Sequence, residues 1–241
     1  LARLGIRPLN LDITQKSEFK KLDNQYDWIV LAASSSRGGE KAYKKVFGLG
    51  SEHIVQWLKT ANTSSVVFIS STSVYQQTNA EWVFENEADI PENITSKILW
   101  EAEQKISEVG SAVSILRSSG IYGPDRGYLF RQFMEDKAAI DHEGKRFLNM
   151  VHRDDLVEAI VHSFDHSKRG PNIYNITDNE PVTQLEFFKW LSETTGRPMP
   201  PFVPEPAPAT HKRGITNKRV SNKLFRETLG FKYNYPTFRE G

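Results

Sequence analysis

Ser64-Ser-Val-Val-Phe-Ile-Ser-Ser71 is a short, β-branched, nearly continuous apolar run that stops abruptly in two hydroxyl residues. It is too short for a buried helix and lacks the alternation of a half-exposed strand, so it reads as a strand covered on both faces, as in a parallel sheet. Two runs of the same kind flank it, Tyr26-Asp-Trp-Ile-Val-Leu-Ala-Ala33 and Ala112-Val-Ser-Ile-Leu-Arg-Ser-Ser119. Between them lie amphipathic stretches of helical length, Tyr43 to Thr60 and Ser96 to Val109, the second with Ile98, Leu99, Ala102, Ile106 and Val109 on one face. Strand and helix alternate, which predicts an α/β fold with a doubly wound parallel sheet. In such a sheet, hydroxyls at the carboxyl ends of strands face a ligand crevice; alternatively they only satisfy nearby backbone groups.

Past Gly123-Pro124 the strands shorten to Phe147-Leu-Asn-Met-Val-His152 and Asn172-Ile-Tyr-Asn-Ile-Thr177, interleaved with helices that carry start signals. Asp154 is placed to cap a helix through Phe164, Thr183-Gln-Leu-Glu186 reads as a capping box, and Ser221 and Gly230 bound a last helix. The expected division is residues 1–124 as one unit and 125–241 as a smaller α+β lobe interleaved with it. Arg197 to Thr210 carries Pro198, Pro200, Pro201, Pro204, Pro206 and Pro208, and so reads as an extended surface segment lying over the cleft. At the other end, Leu1 to Asp12 reads as a helix tail, a glycine stop and a short strand, entered in mid-fold. A Gly-rich strand, turn and helix are expected upstream, and residues 1 to 241 alone are expected to bind a dinucleotide poorly without them.

Among 241 residues, 31 basic side chains face 30 acidic ones, which leaves no electrostatic footprint for nucleic acid or an anionic membrane. With no cysteine there is no thiolate nucleophile or thiolate metal ligand, which fits a reducing compartment, and cytoplasm is the expectation. No apolar run approaches the roughly 18 residues that cross a bilayer. The histidines at 53, 142, 152, 162, 166 and 211 form no metal-ligand spacing with nearby carboxylates, so no metal is expected.

In order and spacing, Phe68-Ile-Ser-Ser-Thr-Ser-Val-Tyr75, Leu116-Arg-Ser-Ser-Gly-Ile-Tyr-Gly-Pro124 and Val151-His-Arg-Asp-Asp-Leu156 resemble the extended and atypical short-chain dehydrogenases/reductases, in particular NAD-dependent epimerase/dehydratase proteins. The resemblance runs from Asp12 through Tyr174-Asn-Ile-Thr-Asp-Asn-Glu-Pro-Val-Thr183 to Tyr235-Pro-Thr-Phe-Arg-Glu-Gly241. It implies a Rossmann-like sheet, NAD or NADP as cofactor, and a small-molecule substrate such as a nucleotide sugar, with a homodimer as the further partner state. It makes Ser71 the hydroxyl that orients the substrate oxygen. The companion should be a tyrosine activated by a lysine one helical turn later, but anchoring on Lys97 puts Asn93 at the tyrosine position. Anchoring instead on Ala102-Glu103 puts Thr95 there and Leu99 at the lysine position. Neither Asn nor Thr titrates near neutral pH.

The phenols left in matching segments are Tyr122 and Tyr75, and the resemblance implies a catalytic set of Ser71, Lys97 and Tyr122. The implied cofactor contacts are Asp12 and Ile13 at adenine, Leu31, Ala32 and Ala33 at a strand end, Ser70, Ser118 and Ser119 near the nicotinamide, and Lys97 at the ribose. The asparagine that often completes such a site falls on Lys45. Gly48-Leu-Gly50 has no strand before it and reads as close helix packing rather than a phosphate loop. His152 reads as a hydrogen-bonded structural residue. The alternative to an enzyme is a non-catalytic dinucleotide-binding module: loss of the tyrosine favours it, while Ser71 and a complete second lobe favour catalysis.

Overall fold

A computed structural model describes residues 2–36, 38–110, 112–204 and 216–241. Its centre is a four-stranded parallel sheet of β1 (Gln25–Leu31), β2 (Asn62–Ser71), β4 (Ala112–Ser118) and β8 (Gly170–Ile176), in that order. Crossovers carry α1 (Gly39–Tyr43) and α2 (Gly50–Leu58) before β2, then β3 (Glu81–Val83) and α3 (Ile94–Ser107) before β4. The chain continues through β5 (Gly120–Tyr122), α4 (Tyr128–Met134), β6 (Phe147–Leu148), β7 (Met150–His152) and α5 (Arg153–Asp165) before reaching β8. After it come β9 (Val182–Thr183), α6 (Gln184–Thr195), β10 (Lys218–Val220) and α7 (Lys223–Leu229).

The period of two along β2 builds two cores from one strand. Val66 and Phe68 point to the face where Ile54 and Leu58 of α2 and Ile98, Leu99, Ala102 and Ile106 of α3 pack. Val67 points the other way, with Leu116 and Ile176, toward Leu156, Ala159 and Phe164 of α5 and Phe225 and Leu229 of α7. A third cluster, with Phe133, Ile140, Leu148, Val182, Phe187, Phe188 and Leu191, holds the short strands and α6 together. The register puts Ser71 opposite Ser118, and Ser118 opposite Ile176, so the strands end level with one another. The hydroxyls therefore arrive together.

Several details differ from the sequence reading. The strand read at Asn172–Thr177 belongs to the main sheet as β8, because its Ile173, Tyr174 and Ile176 complete the two faces beside β4. α5 is capped by His152, whose Nδ1 accepts from the Asp154 backbone N–H at 3.3 Å, so Asp154 sits inside the first turn rather than at the cap. Ser221 lies one residue before the cap position of α7, yet its Oγ accepts from the Lys223 N–H at 3.3 Å. Gly230 ends that helix at φ +69°, a conformation glycine adopts without steric cost.

Residues between Gly5 and Asp12 form no strand; Pro8 cannot donate to a ladder there. Lys44–Leu49 is a wide helical turn joining α1 to α2, and a Cβ on Gly50 would come within 3.0 Å of Ile13 Cδ1, so the glycine serves close packing. Of the proline-rich segment, Pro201 O accepts from Ile140 N at 2.9 Å and Val203 N donates to Ile140 O at 2.9 Å; Pro206, Pro208 and His211 lie outside the described residues, as does Leu1. Among the described residues no helix is long and apolar enough to cross a membrane.

The capping box is formed as read: Thr183 Oγ1 accepts from Glu186 N at 3.2 Å while Glu186 Oε2 accepts from Thr183 N at 3.0 Å. Thr183→Ala removes an acceptor from the start of α6 and should lower stability by about 1 kcal/mol. Urea denaturation of the two proteins side by side measures this.

Candidate functional site

Where β2 stops, Ser71 turns the chain into a short helical turn, Thr72–Val74, and its Oγ accepts from the Ser73 N–H at 3.2 Å. That bond uses an acceptor site on the hydroxyl and leaves its O–H to donate. On the neighbouring strand end, Ser119 is tied through its N–H to Ile176 O at 3.0 Å, and its Oγ is buried with no hydrogen-bond partner among the described residues. Ser71, Ser73 and Ser119 line one cavity of about 200 Å³ together with Arg146, Asn149 and Lys218. A buried hydroxyl without a partner is costly unless something in the cavity bonds it.

Beneath the cavity lies a buried polar network. Arg117 on β4 meets Glu103 on α3 in a two-pronged pair, Nη2 to Oε2 at 2.7 Å and Nε to Oε1 at 3.1 Å, with both side chains at 2% exposure or less. Ser70 donates to the same carboxylate. Arg117 Nη1 also donates to the Tyr75 hydroxyl at 3.0 Å and to Glu85 O at 2.8 Å, and the Tyr75 hydroxyl donates to Asn175 Oδ1 at 2.7 Å. Burial works against the Arg117 charge, but the bonds and charge of Glu103 prevail and hold its pKa above the ordinary value. Burial dominates at Tyr75, pushing its phenol up to about 12 despite the nearby Arg117. Bonded on both sides within this network and absent from the cavity lining, the phenol is not placed to exchange a proton there.

Tyr122 stands elsewhere. Its hydroxyl donates to Thr237 O at 3.1 Å, its ring meets His152 edge-on at 5.3 Å, and it is not among the residues lining the cavity. Burial first, then the negative charges of Asp178 and Asp155, push its pKa upward. Asn93 caps α3, its Oδ1 accepting from Thr95 N at 3.1 Å and Ser96 N at 3.3 Å. The side-chain oxygen at the expected tyrosine position is thus committed to the helix. Lys97 lies exposed in the first turn of α3, outside the cavity lining, and Lys45 is exposed in the wide turn.

The residues read as cofactor contacts fall into two groups. Ser70, Ser118 and Ser119 gather at the ends of β2 and β4, all buried; Ser70 is already bonded to Glu103. Leu31 ends β1, and Ala32 and Ala33 follow it on the surface, offering a small-residue edge that a flat ligand can approach. Asp12 is exposed, and its Oδ1 accepts from Thr14 N at 2.9 Å and Thr14 Oγ1 at 2.8 Å, which is a local turn. Ile13 is half-buried against Gly50, and its carbonyl meets His53 Nδ1 at 3.1 Å.

Sequence reasoning missed Lys218, Arg146 and Asn149. Asn149 ties β10 to the cavity wall, with Nδ2 donating to Lys218 O at 2.9 Å and Oδ1 accepting from Val220 N at 2.7 Å. Lys218 is 6% exposed, and burial lowers its amine to about 8 against the opposing charge of Glu81. The usable signal was alternation: Lys218 shares a strand face with the fully buried Val220.

A parallel sheet with level hydroxyl-bearing strand ends and a small cavity beyond them is the architecture of Rossmann-type epimerases and dehydratases. Consistent with that geometry, the NAD dependent epimerase/dehydratase family matches residues 2–177, and this chain belongs to it. "Protein YeeZ" of Escherichia coli strain K12 is 28% identical over 209 residues, 86% of this chain and 70% of that protein. Among solved structures, MoeE5 in complex with UDP-glucose and NAD is similar with a TM-score of 0.79 at 20% identity, over 97% of this chain and 82% of that one. DesIV, a dTDP-glucose 4,6-dehydratase from Streptomyces venezuelae with NAD and TYD bound, has a TM-score of 0.79 at 19% identity, over 95% and 75% of the two chains. These likenesses fix the fold.

Two outcomes follow from the buried groups. Arg117→Met leaves the Glu103 carboxylate buried without its counter-charge and should cost about 3–5 kcal/mol, whereas Arg117→Met combined with Glu103→Leu should cost less than the single change; denaturant midpoints of the three proteins give the comparison. Asp178 is 1% exposed, and burial lifts its carboxyl from 3.8 to about 8. Between those values the folded chain retains a proton that the unfolded chain has released, so this group favours folding at low pH and that contribution is lost as pH rises toward 8. Asp178→Asn should flatten the fall, which urea midpoints measured from about pH 5 to 8 will register.

Proposed function

We propose that this protein is an NAD(P)-dependent oxidoreductase of the epimerase/dehydratase type that acts at a hydroxyl or carbonyl carbon of a small molecule, with a nucleotide sugar as the substrate class. The observation that carries this reading is the meeting of Ser71 and Ser119 at level strand ends in one cavity. Residues 1–124 take the dinucleotide side and residues 125–241 the substrate side. The lack of cysteine agrees with a cytoplasmic enzyme.

The residues present at the strand ends fit part of the cofactor. Ala32 and Ala33 give a small-residue edge, the unpartnered Ser119 Oγ supplies a polar contact, and Leu31 and Ser118 lie beside them at the ends of β1 and β4. A bound nicotinamide dinucleotide would supply a hydride acceptor or donor. Ser71 does the orienting: with Oγ accepting from Ser73 N–H, its O–H donates to the substrate oxygen and polarises it. Arg146 in the cavity lining brings a positive charge, which favours a substrate with negative charge or a developing alkoxide.

A non-catalytic dinucleotide-binding role is the rival, favoured by Asn93 standing where a tyrosine is expected and serving as a helix cap. Incubating the full-length natural protein with NAD or NADP and a panel of nucleoside-diphosphate hexoses, then following reduced nicotinamide and product sugars, separates the two. Turnover is expected, and Ser71→Ala should reduce it about tenfold to a thousandfold with cofactor affinity unchanged. Cofactor binding with no product from any sugar would favour the rival.

A further inference from the structure

The proposed site lacks a proton carrier. Tyr75 is sealed in the buried network, Tyr122 is bonded to Thr237 outside the cavity, and the Asn93 side chain caps α3. Each conventional candidate is accounted for, yet hydride transfer at an alcohol carbon requires that the hydroxyl proton go somewhere.

Lys218 is the titratable group in the cavity wall whose bonding leaves it free to act. Its Nζ donates to Tyr75 O at 3.2 Å and to Thr216 Oγ1 at 2.9 Å. A neutral amine has two N–H bonds and one lone pair. The two observed partners absorb the two donors, and the lone pair is left on an amine that lines the same cavity as Ser71 and Ser119. A charged ammonium would instead carry a third N–H with no partner among the described residues, in a side chain that is 6% exposed.

The charges around it are few. Glu81 is its cross-strand neighbour on β3 and favours the ammonium, while burial opposes it; Arg146, also in the cavity lining, has its Nε 3.7 Å from Asp141 Oδ1. Arg219 points its guanidinium over the Trp82 and Phe147 rings at 5.2 and 5.3 Å.

Resting on the functional reading above, we propose that Lys218 Nζ is the proton-exchanging group of this site, filling the role left open by the absent phenol. In the oxidising direction the substrate C–H bond breaks with its electron pair passing to an oxidised nicotinamide dinucleotide. The O–H bond breaks with its proton passing to the Nζ lone pair, and a C=O bond forms; reduction runs the same steps backward. An amine titrating at about 8 is poised for both directions near neutral pH, so oxidation should rise with pH to a plateau above that value.

Two measurements test this. Trace acetylation of the wild-type protein with acetic anhydride across a pH series, read by peptide mass spectrometry, should show Lys218 reacting with a midpoint near 8 while exposed lysines follow the ordinary range. A midpoint in the ordinary range, or no modification of Lys218 while the exposed lysines react, overturns the proposal without reference to any substrate. With a sugar that turns over in the panel, Lys218→Met and Lys218→Arg should each lose about a hundredfold or more in kcat with NADH affinity retained. Ethylamine in the buffer should restore part of the Lys218→Met rate. Lys218→Arg at near wild-type kcat overturns the role of Lys218 and leaves the oxidoreductase reading standing. Conversely, failure of every sugar in the panel overturns that reading, while the acetylation midpoint still decides the state of Lys218.

Discussion

The pair between Arg117 and Glu103 is the contact on which the site's geometry depends. Burying two charges costs several kcal/mol each, and that cost is offset only by well-placed partners. Here Glu103 takes both prongs of the guanidinium and the Ser70 hydroxyl, while Arg117 spends its remaining reach on Tyr75 and the Glu85 carbonyl. The network joins the ends of β2, β4 and β8 to α3, because Tyr75 passes the connection on to Asn175. An apolar plug would hold the layers together equally well but would not set the depth of each strand end. Oriented hydrogen bonds do.

That arrangement also explains the fate of the expected catalytic groups. Tyr75 sits next to the right loop, yet it belongs to the support and not to the cavity. The phenol bridges Arg117 to Asn175, and burial pushes its pKa up to about 12. Ser70 and Ser71 are adjacent and face opposite duties: one braces Glu103 from below, the other opens above. A strand's alternation sends successive side chains to opposite faces, so neighbouring serines cannot share a role.

Much of the fold could be read from local pattern. Continuous β-branched runs gave three of the four parallel strands, and the Thr183 to Glu186 spacing gave a helix start correctly to the residue. What local pattern could not supply was partnership. Nothing near Asn172 says that its strand pairs with β4 rather than with a lobe strand, since the choice depends on which faces of a distant sheet need covering. His152 displaced Asp154 as a cap because a histidine ring nitrogen also accepts a backbone N–H, a use that residue preference ranks low. Lys218 was hidden for a related reason: a lysine in a charged stretch reads as solvated, and only the packing of β10 over the strand ends takes it out of water.

The level strand ends have a consequence for how the molecule is made. Every pairing in the central sheet is parallel, so each waits for a crossover to close. The Tyr75 to Asn175 bond joins residues 100 positions apart, and a loop of that length must lose its entropy before the bond can return anything. The pocket's wall therefore draws on distant parts of the chain, from Ser71 to Lys218. Without its later segments the chain would carry Arg117 and Glu103 with no Asn175 to extend their network and no Lys218 in the cavity wall, so the site is a property of the whole fold and not of the strand ends alone.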